Sequence, residues 1–321
     1  MQVFLIDTDV ASDDAVALIM ALRASDVRVV GITTVAGNVG VEQATRNALY
    51  TVELCGVHVP VHQGASKPLA RDHQNATWFH GKDGFGDHGY PPPKRKTSLK
   101  PAAEAIIEAA QKNPGIVIVT LGPLTNIAVA LKTNPSFAHN VSRCVVMGGA
   151  PCCEGNVTPA AEYNIWVDPE AAHIVMRSEL PIELIGWQTS RGEAVLNDRD
   201  IAQIQTFHTP LADFAIECNS QARRAYKVQT GEDGISLPDP VAMSVALDPG
   251  IGTEWSSHYV DIEIESHLTR GMTVVDRLNV ANDERNASVW KELLSTPPHV
   301  KVCWNIDPTR WKSSLYRALR A

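Results

Sequence analysis

The sequence predicts an α/β fold in which helices flank a mainly parallel, mixed central sheet, a Rossmann-like arrangement. Short apolar, β-branched runs alternate with helix-length segments from the first residues to about Leu247. The sequence contains no internal repeat and no linker of the Gly/Ser type. Its 321 residues, 44% of them apolar, suffice for one large core. We therefore interpret residues 1–321 as a single domain.

The elements follow in order from the spacing of apolar residues. Buried strands are predicted at residues 3–6, 27–35, 59–61, 116–121, 144–147 and 182–185. Helices are predicted at residues 13–22, 41–54, 102–110, 124–131, 169–176 and 200–226, the last broken at Pro210. The final part differs, because residues 259–265 and 272–276 alternate like an antiparallel pair and residues 308–319 favour a closing helix.

Charge and hydropathy argue against several classes of function. Lys and Arg number 28 against 36 Asp and Glu, a net charge of −8, whereas proteins that bind nucleic-acid backbones usually present a basic surface. No stretch reaches the roughly 18 apolar residues of a membrane span, and residues 1–6 lack the basic start of a signal peptide. The six cysteines contain no CxxC pair that would suggest zinc. We expect a cytoplasmic protein that binds neither nucleic acid nor membranes.

Four carboxylates lie within eight residues directly after the first predicted strand: Asp7, Asp9, Asp13 and Asp14. Such close like charges repel unless a cation or shared protons compensate them. Capping of the next helix explains Asp13 and Asp14, but not Asp7 and Asp9, which end an apolar strand. Ligands of open α/β sheets lie beyond the carboxyl ends of the strands, where this cluster is expected. Oxygen ligands without His or Cys favour Ca²⁺ or Mg²⁺ over zinc.

Two enzyme classes compete for this cluster. Residues 4–10 fit the hhhDxDx[TV] motif that opens phosphatases of the haloacid-dehalogenase type. In that class Asp7 would be the nucleophile and Asp9 the acid/base. The downstream lysine and the late acidic pair that this class also needs are not evident in the sequence.

A longer series of motifs resembles the inosine–uridine-type nucleoside hydrolases. It begins with the pattern DxDxxxDD at residues 7–14. It continues in the order of that family at residues 31–38, 80–81, 122–128, 146–149, 154–156, 161–165, 168–172, 238–240 and 269–273. The resemblance implies the nucleoside hydrolase fold and hydrolysis of a ribonucleoside to ribose and free base, as used in nucleoside salvage. It also implies a homodimer or homotetramer.

The resemblance further implies a calcium site. It identifies Asp9, Asp14 and Asp239 as Ca²⁺ ligands, together with the main-chain carbonyl of Leu121, and it makes Asp7 their support through hydrogen bonds. Asp9 would also be the general base that takes a proton from the attacking water. Cleavage passes through a ribosyl cation, and carboxylates around the sugar stabilise such a charge.

The same resemblance implies which residues bind the ribose. Asn38 is expected to act in catalysis as well as binding, and Asp239 to lie against the ribose hydroxyls that share the calcium. The remaining implied contacts are Asp13 and Asn164 to the ribose hydroxyls, Asn156 and Glu162 to the 5′-hydroxyl, and Met147 under the sugar.

The sequence departs from the family at Pro238. In the pyrimidine and nonspecific branch a histidine at this position protonates the leaving base, and proline cannot donate a proton. Purines accept a proton on the ring, and aromatic stacking by Trp78 or Phe79 would assist them. His80 is expected beside the base or the ribose, and Tyr226 falls in the segment that faces the base in relatives. The sequence therefore favours purine nucleosides such as inosine, with a catalytically silent nucleoside-binding relative as the non-enzyme alternative.

Overall fold

The computed structural model describes residues 1–286, 289 and 299–320, and eight of its strands form one sheet. The strands, in chain order, are β1 (Gln2–Thr8), β2 (Val27–Thr34), β3 (Val61–Gln63), β4 (Ile116–Thr120), β5 (Val141–Met147), β6 (Ile182–Ile185), β7 (Gly252–His258), β8 (Val260–Ile262), β9 (Thr273–Val275) and β10 (Val300–Ile306). The large sheet has the order β3-β2-β1-β4-β5-β6-β10-β7. Its neighbours are parallel except for β10 and β7, so the mixed, mainly parallel sheet is confirmed.

The helices cover both faces of this sheet. They are α1 (Ser12–Arg23), α2 (Val41–Leu54), α3 (Thr77–His80), α4 (Ala102–Lys112), α5 (Thr125–Thr133), α6 (Tyr163–Val167), α7 (Pro169–Met176), α8 (Asp198–Gln205), α9 (Pro210–Glu217), α10 (Ser220–Thr230), α11 (Pro238–Leu247) and α12 (Pro308–Arg320). Two buried apolar clusters, one on each face, form the core. No helix in the described part of the chain is long and apolar enough to cross a membrane.

Most predicted elements appear near their expected positions. The third strand begins two residues later than predicted, and the helical stretch at residues 200–226 consists of α8, α9 and α10, with a break at Pro210 as expected. The predicted antiparallel pair is β8 with β9, which form a separate two-stranded sheet. The strands β7 and β10 and the helices α3, α6 and α11 were not predicted.

The strand order places a crevice between β1 and β4. The chain leaves β1 towards β2 on one side, whereas β4 joins β1 on the other, and such a reversal of strand order opens a ligand site at the carboxyl ends. Asp7, near the end of β1, pairs with Thr33 of β2 and Thr120 of β4. The acidic cluster therefore lies in this crevice.

Candidate active site

A cavity of about 730 Å³ lies at the carboxyl ends of the central strands. It is lined by all of the residues that the sequence predicts for substrate binding and by Leu121: Asp13, Asn38, Trp78, His80, Leu121, Met147, Asn156, Glu162, Asn164 and Asp239. The fold thus brings together residues from four strand ends and from α3, α6 and α11. Asp7, Asp9 and Asp14 are fully buried and are not among the lining residues.

One oxygen of the Asp7 carboxylate is held by side chains, and the other, Oδ2, is buried without a hydrogen-bond partner. Thr33 Oγ1 and Asn126 Nδ2 donate to Asp7 Oδ1, at 2.5 Å and 2.8 Å. Burial raises the pKa of Asp7 to about 7, and the two hydrogen bonds oppose this rise. This geometry suits the supporting position expected from the family resemblance.

Asp9 is held by the backbone of a neighbouring loop. The Asn38 backbone N–H donates to Asp9 Oδ2 at 2.6 Å, while Asp9 Oδ1 is buried without a hydrogen-bond partner. Two glycines make room for this carboxylate: a Cβ at Gly37 would lie 2.1 Å from Oδ2, and one at Gly122 would lie 2.6 Å from Oδ1. Both glycines belong to motifs found in the sequence, and close approach to Asp9 is the physical reason for them.

Three further carboxylates form a compact group. Oxygens of Asp13, Asp14 and Asp239 lie within 4.8 Å of one another, and all three residues are buried. Because Ca²⁺ binds oxygen at 2.3–2.6 Å, ligands on opposite sides of the ion are about 5 Å apart. The group therefore has the dimensions of a cation site. Asp13 belongs to this group, whereas the family resemblance names Asp9 as the third carboxylate ligand beside Asp14 and Asp239.

Hydrogen bonds hold both oxygens of Asp14 in this group, whereas one oxygen of Asp13 has no hydrogen-bond partner. Thr8 Oγ1 donates to Asp14 Oδ1 at 2.5 Å, and the Ala11 N–H at the start of α1 donates to Oδ2 at 2.8 Å. Asp14 thus takes part in capping α1, as the capping explanation for Asp13 and Asp14 predicts. By contrast, Asp13 Oδ1 is buried without a hydrogen-bond partner.

Burial and mutual repulsion govern the charges of these carboxylates. Burial raises the pKa of Asp13 to about 6, and burial together with the nearby Asp13 raises that of Asp14 to about 6. The pKa values of Asp9 and Asp239 lie well above their usual range, because of burial first and the charge of Asp14 second. A divalent cation between these groups would favour their ionised forms.

Two polar residues on the ribose side are held by the backbone. Asn164 Nδ2 donates to the Leu121 carbonyl at 2.9 Å and contacts Met147 Sδ at 3.2 Å. Glu162, the N-cap of α6, accepts the N–H groups of residues 149, 164 and 165. Burial raises the pKa of Glu162, and these N–H groups counteract the rise. The positions of both side chains are therefore set before a ligand enters.

The opposite wall consists of α3, α10 and the start of α11. Trp78 is 59% exposed, whereas His80 is buried and its Nδ1 lies 2.9 Å from Ser12 Oγ. Pro238 lines the cavity, so no proton donor replaces the histidine at that position. Tyr226 also lines the cavity, and its hydroxyl donates to Glu232 at 2.6 Å.

Sequence reasoning missed four polar residues that line the cavity: Tyr163, Asn219, Gln229 and Ser236. The Tyr163 hydroxyl lies 2.8 Å from the Gly37 carbonyl and 2.7 Å from the Gln74 carbonyl. Tyr163 lies inside the motif at residues 161–165, so the sequence did indicate that it is near the site. Asn219 and Gln229 belong to no motif, and only the packing of α10 brings them to the cavity.

Comparisons with known proteins agree with this geometry. The model of the family described as inosine-uridine preferring nucleoside hydrolase matches residues 4–313. The chain is 38% identical over 276 residues to uridine nucleosidase 1 of Arabidopsis thaliana, covering 85% of this chain and 81% of that protein. The structure of a plant nucleoside hydrolase matches with a TM-score of 0.91 and 31% identity, covering 100% of this chain and 99% of that one. A purine-preferring ribonucleoside hydrolase from Gardnerella vaginalis matches with a TM-score of 0.89 and 29% identity, covering 99% and 98%.

These matches do not support the phosphatase alternative. The order of the motifs, the fold and the residues that line the cavity agree instead with the nucleoside hydrolases. The chain therefore belongs to the inosine–uridine preferring nucleoside hydrolase family, whose members hydrolyse N-glycosyl bonds.

Proposed function

We propose that this chain is a calcium-dependent ribonucleoside hydrolase that releases ribose and free base, with uridine among its substrates. The main support is the group of buried carboxylates at the floor of a cavity that is lined by every residue expected to bind ribose. The proposed unit is one domain, residues 1–321, acting in cytoplasmic nucleoside salvage as a homodimer or homotetramer.

The residues present fit a calcium ion. The donors are all oxygens, which Ca²⁺ prefers, and three buried carboxylate oxygens of the cluster have no hydrogen-bond partner: Asp7 Oδ2, Asp9 Oδ1 and Asp13 Oδ1. We assign Asp9, Asp14, Asp239 and the Leu121 carbonyl as ligands. When bound, the ion would compensate these negative charges and polarise the oxygens that it contacts.

Asp9 is the proposed general base. Its Oδ2 is occupied by the Asn38 N–H, so the partner-free Oδ1 is the atom that takes a proton from the attacking water. Water attacks C1′ opposite the base, so the configuration at C1′ inverts. The carboxylates of Asp13 and Asp239 stabilise the positive charge that develops on the ribose.

The 5′-end of the sugar is proposed to lie against Glu162 and Asn156. Backbone N–H groups orient the Glu162 carboxylate, so it accepts a hydrogen bond from the 5′-hydroxyl without reorganising. Asn156 Oδ1 accepts the Tyr163 N–H at 2.9 Å, which leaves its amide group for the ligand. Met147 and Asn164 complete the floor below the ribose.

The choice of base has two candidates. Uridine is supported by the similarity to a protein named uridine nucleosidase. The purine preference expected from the sequence is favoured by one observation: Pro238 lines the cavity and supplies no proton to the leaving base. The similarity in structure to a purine-preferring enzyme is compatible with this second candidate.

A hydrolysis assay tests the proposal. Release of free base is measured from uridine, cytidine, inosine, guanosine and adenosine, with added Ca²⁺ and with chelator, beside the variant Asp9→Asn. We expect calcium-dependent turnover that Asp9→Asn removes, and the ratio of uridine to inosine turnover decides between the two bases. Nucleoside binding without turnover of any of the five would replace the proposal with the silent binding protein.

A further inference from the structure

Asn219 is the residue before α10, and it does not make the bond that this position usually provides. An asparagine at a helix N-cap normally accepts an N–H of the first turn through Oδ1. Here the side chain makes no such bond, although Asn219 is completely buried. Its Oδ1 has no hydrogen-bond partner, and the residue lines the cavity.

The orientation of this amide is fixed by its neighbours. Asn219 Nδ2 donates to the Ala215 carbonyl at 2.9 Å and to the Ser12 carbonyl at 3.3 Å. Both neighbours are acceptors, so the amide group must face them and Oδ1 must face away from them. Asn219 therefore offers a ligand one acceptor and no donor.

Asn219 lies at the start of the cavity wall formed by α10, which packs against α3. It precedes α10, which also contributes Tyr226 and Gln229 to the cavity wall. Those two side chains are occupied, since Tyr226 donates to Glu232 and Gln229 donates to the Asn156 carbonyl. The residues assigned to the ribose come from other elements: Asp13 from α1, Asp239 from α11, and the rest from strand ends, the loops that follow them and α6.

We propose that Asn219 Oδ1 accepts a hydrogen bond from the ring N–H of the leaving base, and this inference rests on the proposed function. The base of uridine has a single N–H, at N3, and the base of inosine has a single N–H, at N1, because the other ring nitrogens carry no proton. Cytidine and adenosine have an unprotonated nitrogen at the corresponding position. The exocyclic amino groups of cytidine and adenosine can still donate a hydrogen bond, but the acceptor selects uridine over cytidine and inosine over adenosine because it faces the ring nitrogen.

The test compares Asn219→Leu, which removes the acceptor at similar volume, with wild type. We expect kcat/KM for uridine and inosine to fall about ten- to a hundredfold, the cost of leaving one buried donor unpaired. Hydrolysis of 4-nitrophenyl β-ribofuranoside, whose leaving group has no N–H, should change less than threefold. The control is Asn113→Leu, which removes a bond of the same spacing, from Asn113 Nδ2 to the Ala109 carbonyl, outside the cavity.

An equal loss for the aryl riboside, or no loss for uridine, overturns the inference. If Asn219→Leu does not fold, 3-methyluridine replaces it as the probe on the wild-type protein. We then expect at least tenfold slower hydrolysis than for uridine, and equal rates overturn the inference. Wild-type protein that hydrolyses no nucleoside refutes the proposed function itself, a result distinct from the loss of base selectivity.

Discussion

Gly37→Ala should disable the site through contact with Asp9. The added Cβ would lie 2.1 Å from Asp9 Oδ2 and 2.8 Å from Pro123 Cδ, well inside van der Waals contact. The backbone cannot move away easily, because the Gly37 carbonyl accepts hydrogen bonds from His73 Nε2 at 2.7 Å and from Tyr163 at 2.8 Å. The clash is therefore relieved by moving the Asp9 carboxylate.

The magnitude follows from two losses. Moving Asp9 breaks its hydrogen bond with the Asn38 N–H, and a bond to a charged group contributes about 1.5–3 kcal/mol. Overpacking a buried contact costs about 1–3 kcal/mol more. The free energy of unfolding should therefore fall by roughly 2.5–6 kcal/mol. A displacement of the general base by about 1 Å should lower kcat about a hundredfold.

The assay measures both quantities against a nearby control. Unfolding in urea gives the free energy, and release of base from uridine gives kcat. Gly40→Ala is the control, because its added Cβ would meet only Glu42 Oε2, at 3.8 Å. If Gly37→Ala matches Gly40→Ala in both stability and kcat, Asp9 does not need the space that Gly37 leaves, and the argument for the position of Asp9 fails.

Three further predictions concern the carboxylates and the pH dependence of stability. Asp9→Asn should lower kcat about 10²–10⁴-fold without unfolding the protein, since it removes the proposed general base but keeps the shape of the side chain. Circular dichroism checks the fold and base release checks kcat, and turnover at the wild-type rate would contradict the prediction. Asp239→Asn should weaken Ca²⁺ binding in calorimetry, whereas Asp168→Asn, whose carboxylate caps α7 outside the cavity, should not; equal affinities in the two variants would remove Asp239 from the ligand set. Burial lowers the pKa of His62 below its usual 6.5, so the folded state favours the neutral ring. The resulting contribution to the free energy of unfolding is present above pH 6.5 and is lost as the pH falls below it. His62→Gln should therefore lose less stability than wild type between pH 7 and pH 5, as measured by urea midpoints, and a parallel loss in both would show that His62 does not contribute.

The parallel half of the fold was predictable because its signals are local. Buried parallel strands are short apolar runs, and β1, β4 and β5 are of this kind. The edge strand β7 is mostly exposed, so its sequence lacks a clear apolar face. Its partner β10 pairs with β6, more than a hundred residues earlier in the chain, and no local periodicity encodes that pairing.

The clustering of the residues proposed to bind ribose was predictable for a similar reason. Asp9, Asn38 and Glu162 belong to motifs that recur in family order, and the glycines among them, such as Gly37, have a local steric cause. Asn219 has no such signal, because its partner Ser12 lies 207 residues away in sequence. Only the packed structure shows that its acceptor is buried and free.

This division explains why the family match identifies the reaction more firmly than the base. Every nucleoside substrate presents the same ribose, so the carboxylates and amides at the strand ends serve one task. In the proposed function the base lies against α3, α10 and Pro238, where Trp78 is largely exposed and Tyr226 donates a hydrogen bond to Glu232. A free acceptor at Asn219 on this wall is the polar contact best placed to distinguish one base from another. Selectivity measured across uridine, cytidine, inosine and adenosine therefore tests the base wall separately from the catalytic floor.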